Sequence, residues 1–394
     1  MRKLLSSPAN MALSDAENSI YQKSLTYIAD LSLNLMAVKV SNHPEDFLAW
    51  CTELLSLCRQ GINRDLLEAD QFKPLEKLEA LLANGISVSQ LKMLRIAPWP
   101  IFVSFIENQA ENHALKERLS LLDYIRTLSS CSLDSMSDND RLAFAGKHTN
   151  YHDYTVYDFD VEWFASTKGA KVFHTLLSEK SAEFEHALSY IPISGEVNPE
   201  HYRNFSRAYK QIFANYKVNK TSGEKAPLAP ATRLLAMRRP DHFVALTNAK
   251  LEVLCQGLGL IKFNNFDFES YWQELIGTIR SCAWWHQEQP ANDLEHKIWQ
   301  ARAILVDLFL FVDEDVAFNS NFLRLRDKAL NKPRASNSSR RTKVKLTVAE
   351  QVDQALAVEG TPEFLKGKRE SIISSVKQGK SVEQVLMLMR AIFS

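Results

Sequence analysis

The apolar positions of this chain recur at helical spacing over most of its length. Ile20, Leu25, Ile28, Leu31 and Leu35 share a stripe, and Ser14 with Glu17 ahead of them has the form of a capping box, which predicts a helix there. Pro44 suits the first turn of a second helix through Phe47, Leu48, Cys51, Leu54, Leu55 and Cys58, with Gly61 at its end. Pro74 and Gly85 bracket a third helix, Ser87 with Gln90 opens a fourth, and 115–128 is a further periodic stretch. No fixed repeat emerges, so the pattern predicts an irregular helical domain and not a regular array.

Beyond 128 the pattern is punctuated. Ser- and Asp-rich 129–140 reads as a loop. Residues 151–164 crowd Tyr151, Tyr154, Tyr157, Phe159, Trp163 and Phe164 among acids, with room for a short strand. Helices resume at Lys168, turn at Ile193-Ser194-Gly195-Glu196 and re-enter near Pro199. Polar 216–230 reads as a linker, 231–330 as a helical block, and 331–345 (NKPRASNSSRRTKVK) as a basic flexible linker. Tail helices are predicted near 347–357, 362–377 and 381–392, with Gly379 between the last two. The fold class is therefore all-α, or nearly so. It divides into an N-terminal helical domain (10–146), a central helical domain (147–330), the linker (331–345) and a helical C-terminal domain (346–394).

Composition narrows the chemistry. Only 12 of 394 residues are glycine, which argues against a Gly-rich phosphate cradle or a dinucleotide-binding sheet. There is no Walker, G-x-G-x-x-G or G-x-S-x-G pattern, so no cofactor is expected. The five cysteines form no C-x-x-C pair, which suits a reducing compartment and a cytoplasmic protein. No apolar run approaches the roughly 18 residues of a membrane span; the most apolar stretch, 303–312, is broken by Asp307. Formal net charge is +0, so any polyanion would be met by a local patch and not by the chain as a whole.

Two patches qualify. Arg324, Arg326, Lys328, Lys332, Arg334, Arg340, Arg341, Lys343 and Lys345 are interrupted by one acid, Asp327. Cations so grouped can neutralise several phosphates, although the same composition also serves a solvated linker. The second patch is Arg233 with Arg238-Arg239, where a helix from Pro230 ends in Arg239-Pro240-Asp241-His242-Phe243-Val244 before a second helix from about Asn248 to Cys255. This block resembles a region of the helix-hairpin-helix DNA glycosylases and their non-catalytic relatives, and also proteins of bacterial restriction and phage-defence loci. Thr247 and Asn248 stand where the glycosylases carry their catalytic aspartate, so the resemblance implies DNA binding without base excision. A plain helical corner with surface arginines is the ordinary alternative.

Other candidates are weaker. His148 and His152, with Asp153, Asp158, Asp160, Glu162 and His174, offer metal or acid–base chemistry, but no zincin pattern accompanies them, and no metal is expected. Glu295-His296-Lys297 has the letters of a nuclease motif but lies in a helical pattern. Trp284-Trp285 could stack bases, yet Trp272, Leu275, Ile276 and Ile279 nearby form a core stripe. The sequence thus predicts a non-catalytic, DNA-associated adaptor within a multi-protein bacterial system, with antiphage defence as its setting. Its DNA contacts would be Arg233, Arg238, Arg239, Arg334, Arg340, Arg341, Lys343 and Lys345, its other partners protein subunits, and no membrane is involved. The alternatives are a protein-binding scaffold without nucleic acid, and an enzyme using 148–174.

Overall fold

The first helix is fixed by the box its sequence announces. Ser14 N–H donates to Glu17 Oε2 (2.8 Å) and Glu17 N–H to Ser14 Oγ (3.2 Å), satisfying two donors that a helix start otherwise leaves open. A computed structural model describes residues 12–31, 46–147, 164–216, 223–312, 348–356, 365, 367–377, 382 and 385–388. Among these residues the chain is helical and contains no strand. The helices are α1 (Asp15–Asp30), α2 (Phe47–Ser56), α3 (Phe72–Leu94), α4 (Trp99–Asn108), α5 (Leu115–Thr127), α6 (Asp138–Phe144), α7 (Lys171–Glu179), α8 (Ser181–Ser189), α9 (Pro199–Ala214), α10 (Leu228–Arg238) and α11 (Asn248–Leu258). Next, α12 (Phe268–Ser270) passes through a π-helical stretch (Tyr271–Ile276) into α13 (Gly277–Ser281), and α14 (Asp293–Gln300) precedes a 3₁₀ stretch (Ile304–Phe309).

Helix α3 organises this part of the chain. It runs 23 residues without a break, where the sequence predicts one helix closing at Gly85 and another opening at Ser87. Gly85 has a packing role instead. A Cβ there would lie 2.9 Å from Cys51 Sγ and 3.3 Å from Ile20 and Phe47, so the missing side chain lets α1 and α2 close onto α3. Leu75, Leu78, Leu82, Ile86 and Val88 of α3 share a core with Ile20, Ile28, Leu48, Cys51 and Leu54. One turn later Leu91 and Leu94 enter a second core that continues to Leu310. This second core draws on residues either side of 146, so 1–331 is one compact unit and the predicted division between 10–146 and 147–330 is not a domain boundary.

Aromatic packing and a buried ion cluster hold the second core. Phe102 stacks on Trp284 (4.5 Å between centroids) and on Phe309 (5.4 Å). Asp307, the charge that interrupts the apolar 303–312 stretch, is buried and accepts from Arg118 (3.0 Å) and Lys250. Burial raises its pKa, but Lys250 and Arg118 outweigh that and hold it at about 2.

The second unit spans Lys332–Ser394. It contains α15 (Val348–Leu356) and α16 (Arg369–Lys377), with its own core of Val352, Leu356, Leu365, Ile372, Ile373 and Val385. Arg369 pairs with Asp353 (2.5 Å), linking α16 to α15. Among the described residues no helix is long and apolar enough to cross a membrane.

Candidate functional site

Helix α10 starts on borrowed partners. Its first turn contains Pro230 and has no side-chain cap of its own, and Asn265 satisfies the N–H groups of Leu228 (2.7 Å) and Ala229 (2.9 Å). Thr232 then accepts from Leu246 N–H (2.9 Å), and Tyr271 donates to Val244 O (2.8 Å). These bonds dock the extended 243–246 segment on α10 and fix the turn between them.

Within this frame the three arginines separate. Arg233, expected on the surface as a DNA contact, is fully buried. It donates to the carbonyls of Ala143 (2.9 Å), Phe164 (3.0 Å) and Phe144 (3.2 Å), tying α10 to the end of α6. A guanidinium without accessible surface offers nothing to a phosphate, so that assignment is corrected. Arg239 is also withdrawn from solvent, at 4% exposure. It grips Asp241 with two bonds (2.9 and 3.0 Å) and donates to Pro192 O (2.8 Å) and Gly195 O (2.7 Å), which clamps the turn onto the 192–195 turn. Arg239 is therefore a clamp and not a DNA contact. Arg238 is the one of the three that is half-buried, and with the edge of Arg239 it lines an open space. Arg334, Arg340, Arg341, Lys343 and Lys345 lie outside the described residues, as do His148, His152, Asp153, Asp158, Asp160 and Glu162.

The space is a cleft of about 370 Å³ bounded by α5, the 131–136 loop, α8, the 193–195 turn, the end of α10 and α14. Leu122, Ile125, Leu133, Met136, Leu188 and Met237 supply apolar wall, and Arg126, Glu185, Arg238, Arg239 and Asp241 supply charge. Behind it Arg302 is held between two indoles, 4.8 Å from each of Trp285 and Trp299, and donates to Trp299 O (2.8 Å). Burial pushes the Asp241 carboxyl up, yet bonds from His242 and Arg239 outweigh this and hold it well below the usual carboxylate range. Burial lowers the His242 pKa against the pull of Asp241, whose Oδ2 lies 2.9 Å from His242 Nδ1.

The other sequence candidates have structural employment. His174 is buried with its Nε2 3.0 Å from Thr167 O. Trp284 is in the core, donating to Leu94 O (3.0 Å). On α14, Glu295 accepts from Trp99 Nε1 (3.1 Å) and Lys297 pairs with Asp123 (2.9 Å), so the nuclease-like letters diverge. Among the described residues no three His, Cys, Asp or Glu side chains are grouped to hold a metal. Sequence reasoning missed the cleft and Arg302. The one local signal for the latter was its position three residues after Trp299. No family model, curated protein or solved structure matches this chain.

Proposed function

We propose that this chain is a DNA-associated adaptor, with its nucleic-acid contacts in and after the basic tract and not at the arginine turn. One observation carries the reading, which is the partition of charge between the two units. Lys332–Ser394 contains twelve Lys/Arg against six Asp/Glu; of the 47 of each in the chain, 35 and 41 therefore belong to Met1–Asn331. A neutral chain is thus built from a basic unit and an acidic one. A polyanion is attracted to the first and repelled by the second, which gives binding an orientation that the net charge conceals. The setting remains the one the resemblance at 230–260 suggests, a multi-protein bacterial assembly.

Fluorescence anisotropy of the full chain on labelled double- and single-stranded DNA, repeated across a salt series, tests this. Saturable binding is expected, with log K falling by about 0.9 per decade of salt for each neutralised phosphate. Reversing Arg340 and Arg341 to Glu is expected to weaken binding and flatten that slope by about two such contacts. Binding indifferent to the double reversal would remove the tract from the interface.

A second reading, a protein-binding scaffold without nucleic acid, is favoured by Met387 and Leu388, which are 76% and 56% exposed in the basic unit. It requires a stoichiometric protein partner that stays bound after nuclease treatment.

A further inference from the structure

The charged groups lining the cleft are matched with one exception. Arg126 donates to Asp123 (2.8 Å), Arg239 holds Asp241 in two bonds, and Glu185 accepts the Leu133 N–H (2.9 Å). Arg238 is acted on through space by the nearby Glu185 carboxylate without bonding to it, makes no hydrogen bond with a described residue, and has its Nε buried without a partner. Its position is nonetheless fixed. It ends α10 directly before the Arg239 clamp, so its backbone is held by the bonds to Pro192, Gly195 and Asp241. With Glu185 near but not bonded to it, Arg238 leaves donors unused in a largely apolar recess. Leaving a half-desolvated guanidinium with an unbonded buried N–H is costly, and an acceptor seated directly on it recovers that cost.

We propose that this cleft binds a small molecule with an apolar body and a single anionic group, the anion pairing with Arg238. The volume, about 370 Å³, lies in the range of small-molecule sites, which are mostly apolar with a few placed polar groups. Leu122, Ile125, Leu133, Met136 and Met237 take the body. Ile193 stands at the rim 59% exposed, an apolar side chain that a bound ligand would cover. The limit to one charge follows from the lining: Asp241 and Glu185 repel any anion, so only a group bonded directly to the open donors of Arg238 is favoured, and the other lining cations are engaged. Because the clamp fixes the backbone at Arg238 before binding, only the side chain has to be ordered when the pair forms.

The full chain is titrated with anilinonaphthalene sulfonate, which carries one sulfonate on an aromatic body, and with phenylnaphthylamine, its uncharged analogue. Saturable one-to-one binding of both is expected, with decanoate displacing the sulfonate more effectively than decanol does. Arg238→Gln is expected to weaken the sulfonate on the order of tenfold and leave the amine within about twofold, while Arg238→Lys recovers part of the loss. Arg64→Gln, which alters an exposed cation outside the cleft lining that is paired with Glu79 (3.1 Å), is expected to change neither, and circular dichroism checks that each variant is folded. Equal sulfonate affinity in Arg238→Gln overturns the proposal, as does failure of decanoate to displace the probe. An acidic peptide displacing the probe better than decanoate overturns the small-molecule class in favour of a protein segment. None of these readouts involves nucleic acid, so their failure and failure of DNA association are separate results.

Discussion

At the scale of single residues, burial changes what a charged side chain means. Arg233 donates to three carbonyls, of which Ala143 O also accepts from Gly146 N–H (3.1 Å), and a buried carbonyl left without a donor costs about 1–3 kcal/mol. Arg233→Met is therefore expected to destabilise the protein by at least about 2 kcal/mol in urea unfolding. Arg233→Lys should recover less than half, because one ammonium cannot span the fork. A Met variant as stable as the parent would show that the carbonyls find other donors. Two histidines make a pH-dependent statement of the same kind. Thr167 donates its hydroxyl to Ala145 O (2.5 Å), so it faces His174 Nε2 (2.9 Å) as an acceptor, and Nε2 must carry the proton. His174 Nδ1 and His113 Nδ1 are then buried without partners. Burial lowers the pKa of His174 from 6.5 to about 4, and burial with the nearby Arg118 cation lowers that of His113 to about 3. Between these values and 6.5 the unfolded chain binds protons that the folded chain does not. Stability is therefore complete above pH 6.5 and falls as pH drops through the window, His113 contributing up to about 1.4 kcal/mol per pH unit and His174 less. Asp307, held at about 2 against an ordinary 3.8, adds its own loss only at lower pH. Denaturant midpoints from pH 7 to 4 measure the slope, and His113→Gln is expected to flatten it.

At the scale of elements, α3 is the member on which the others converge, and one glycine sets how closely. A Cβ on Gly257 of α11 would stand 2.4 Å from Leu91 Cβ and 2.7 Å from its Cδ1, so α11 lies almost backbone-on against α3. Gly257→Ala is expected to cost about 1–3 kcal/mol by forcing the helices apart, despite alanine's better helix propensity. Leu91→Ala alone opens a cavity and costs about 2–5 kcal/mol. The double variant should be more stable than the sum of the singles implies, because each change relieves the other, and a double-mutant cycle by thermal unfolding reads that coupling directly. The same geometry explains what could be read in advance. Ser14 with Glu17, Pro199 and the Asn248 start are signals settled within a few residues, and each marks a real helix start. Gly85 was read as a terminator because its reason, contact with Cys51, Ile20 and Phe47, lies in other helices. Arg233 was read as a surface residue because its carbonyl partners are 69, 89 and 90 residues away. Periodicity reports which face of a helix is apolar; it does not report which helix meets that face, so a cleft assembled from six segments left no trace in the pattern.

At the scale of the whole molecule, the neutral total conceals two opposed charges, and the division falls where the cores divide. The residues of one core lie between 352 and 385, while those of the other two lie between 20 and 310. Electrostatic attraction to DNA then follows the basic unit. A chain ending at Asn331 keeps both larger cores, Arg233, Arg239 and the cleft, but loses twelve Lys/Arg and six Asp/Glu. It is expected to be folded by circular dichroism, to retain the anionic probe at full affinity, and to lose measurable DNA binding near physiological salt, where screening leaves too little attraction for the remaining cations to hold DNA. The two activities would then separate cleanly, DNA with the tail and the small anion with Arg238. DNA binding that persists in the truncated chain would place the contacts on the acidic unit, where an exposed local patch would have to overcome the repulsion of its surroundings. Truncation therefore decides between charge partition and local chemistry as the source of binding, which point substitutions in the tract alone leave joined.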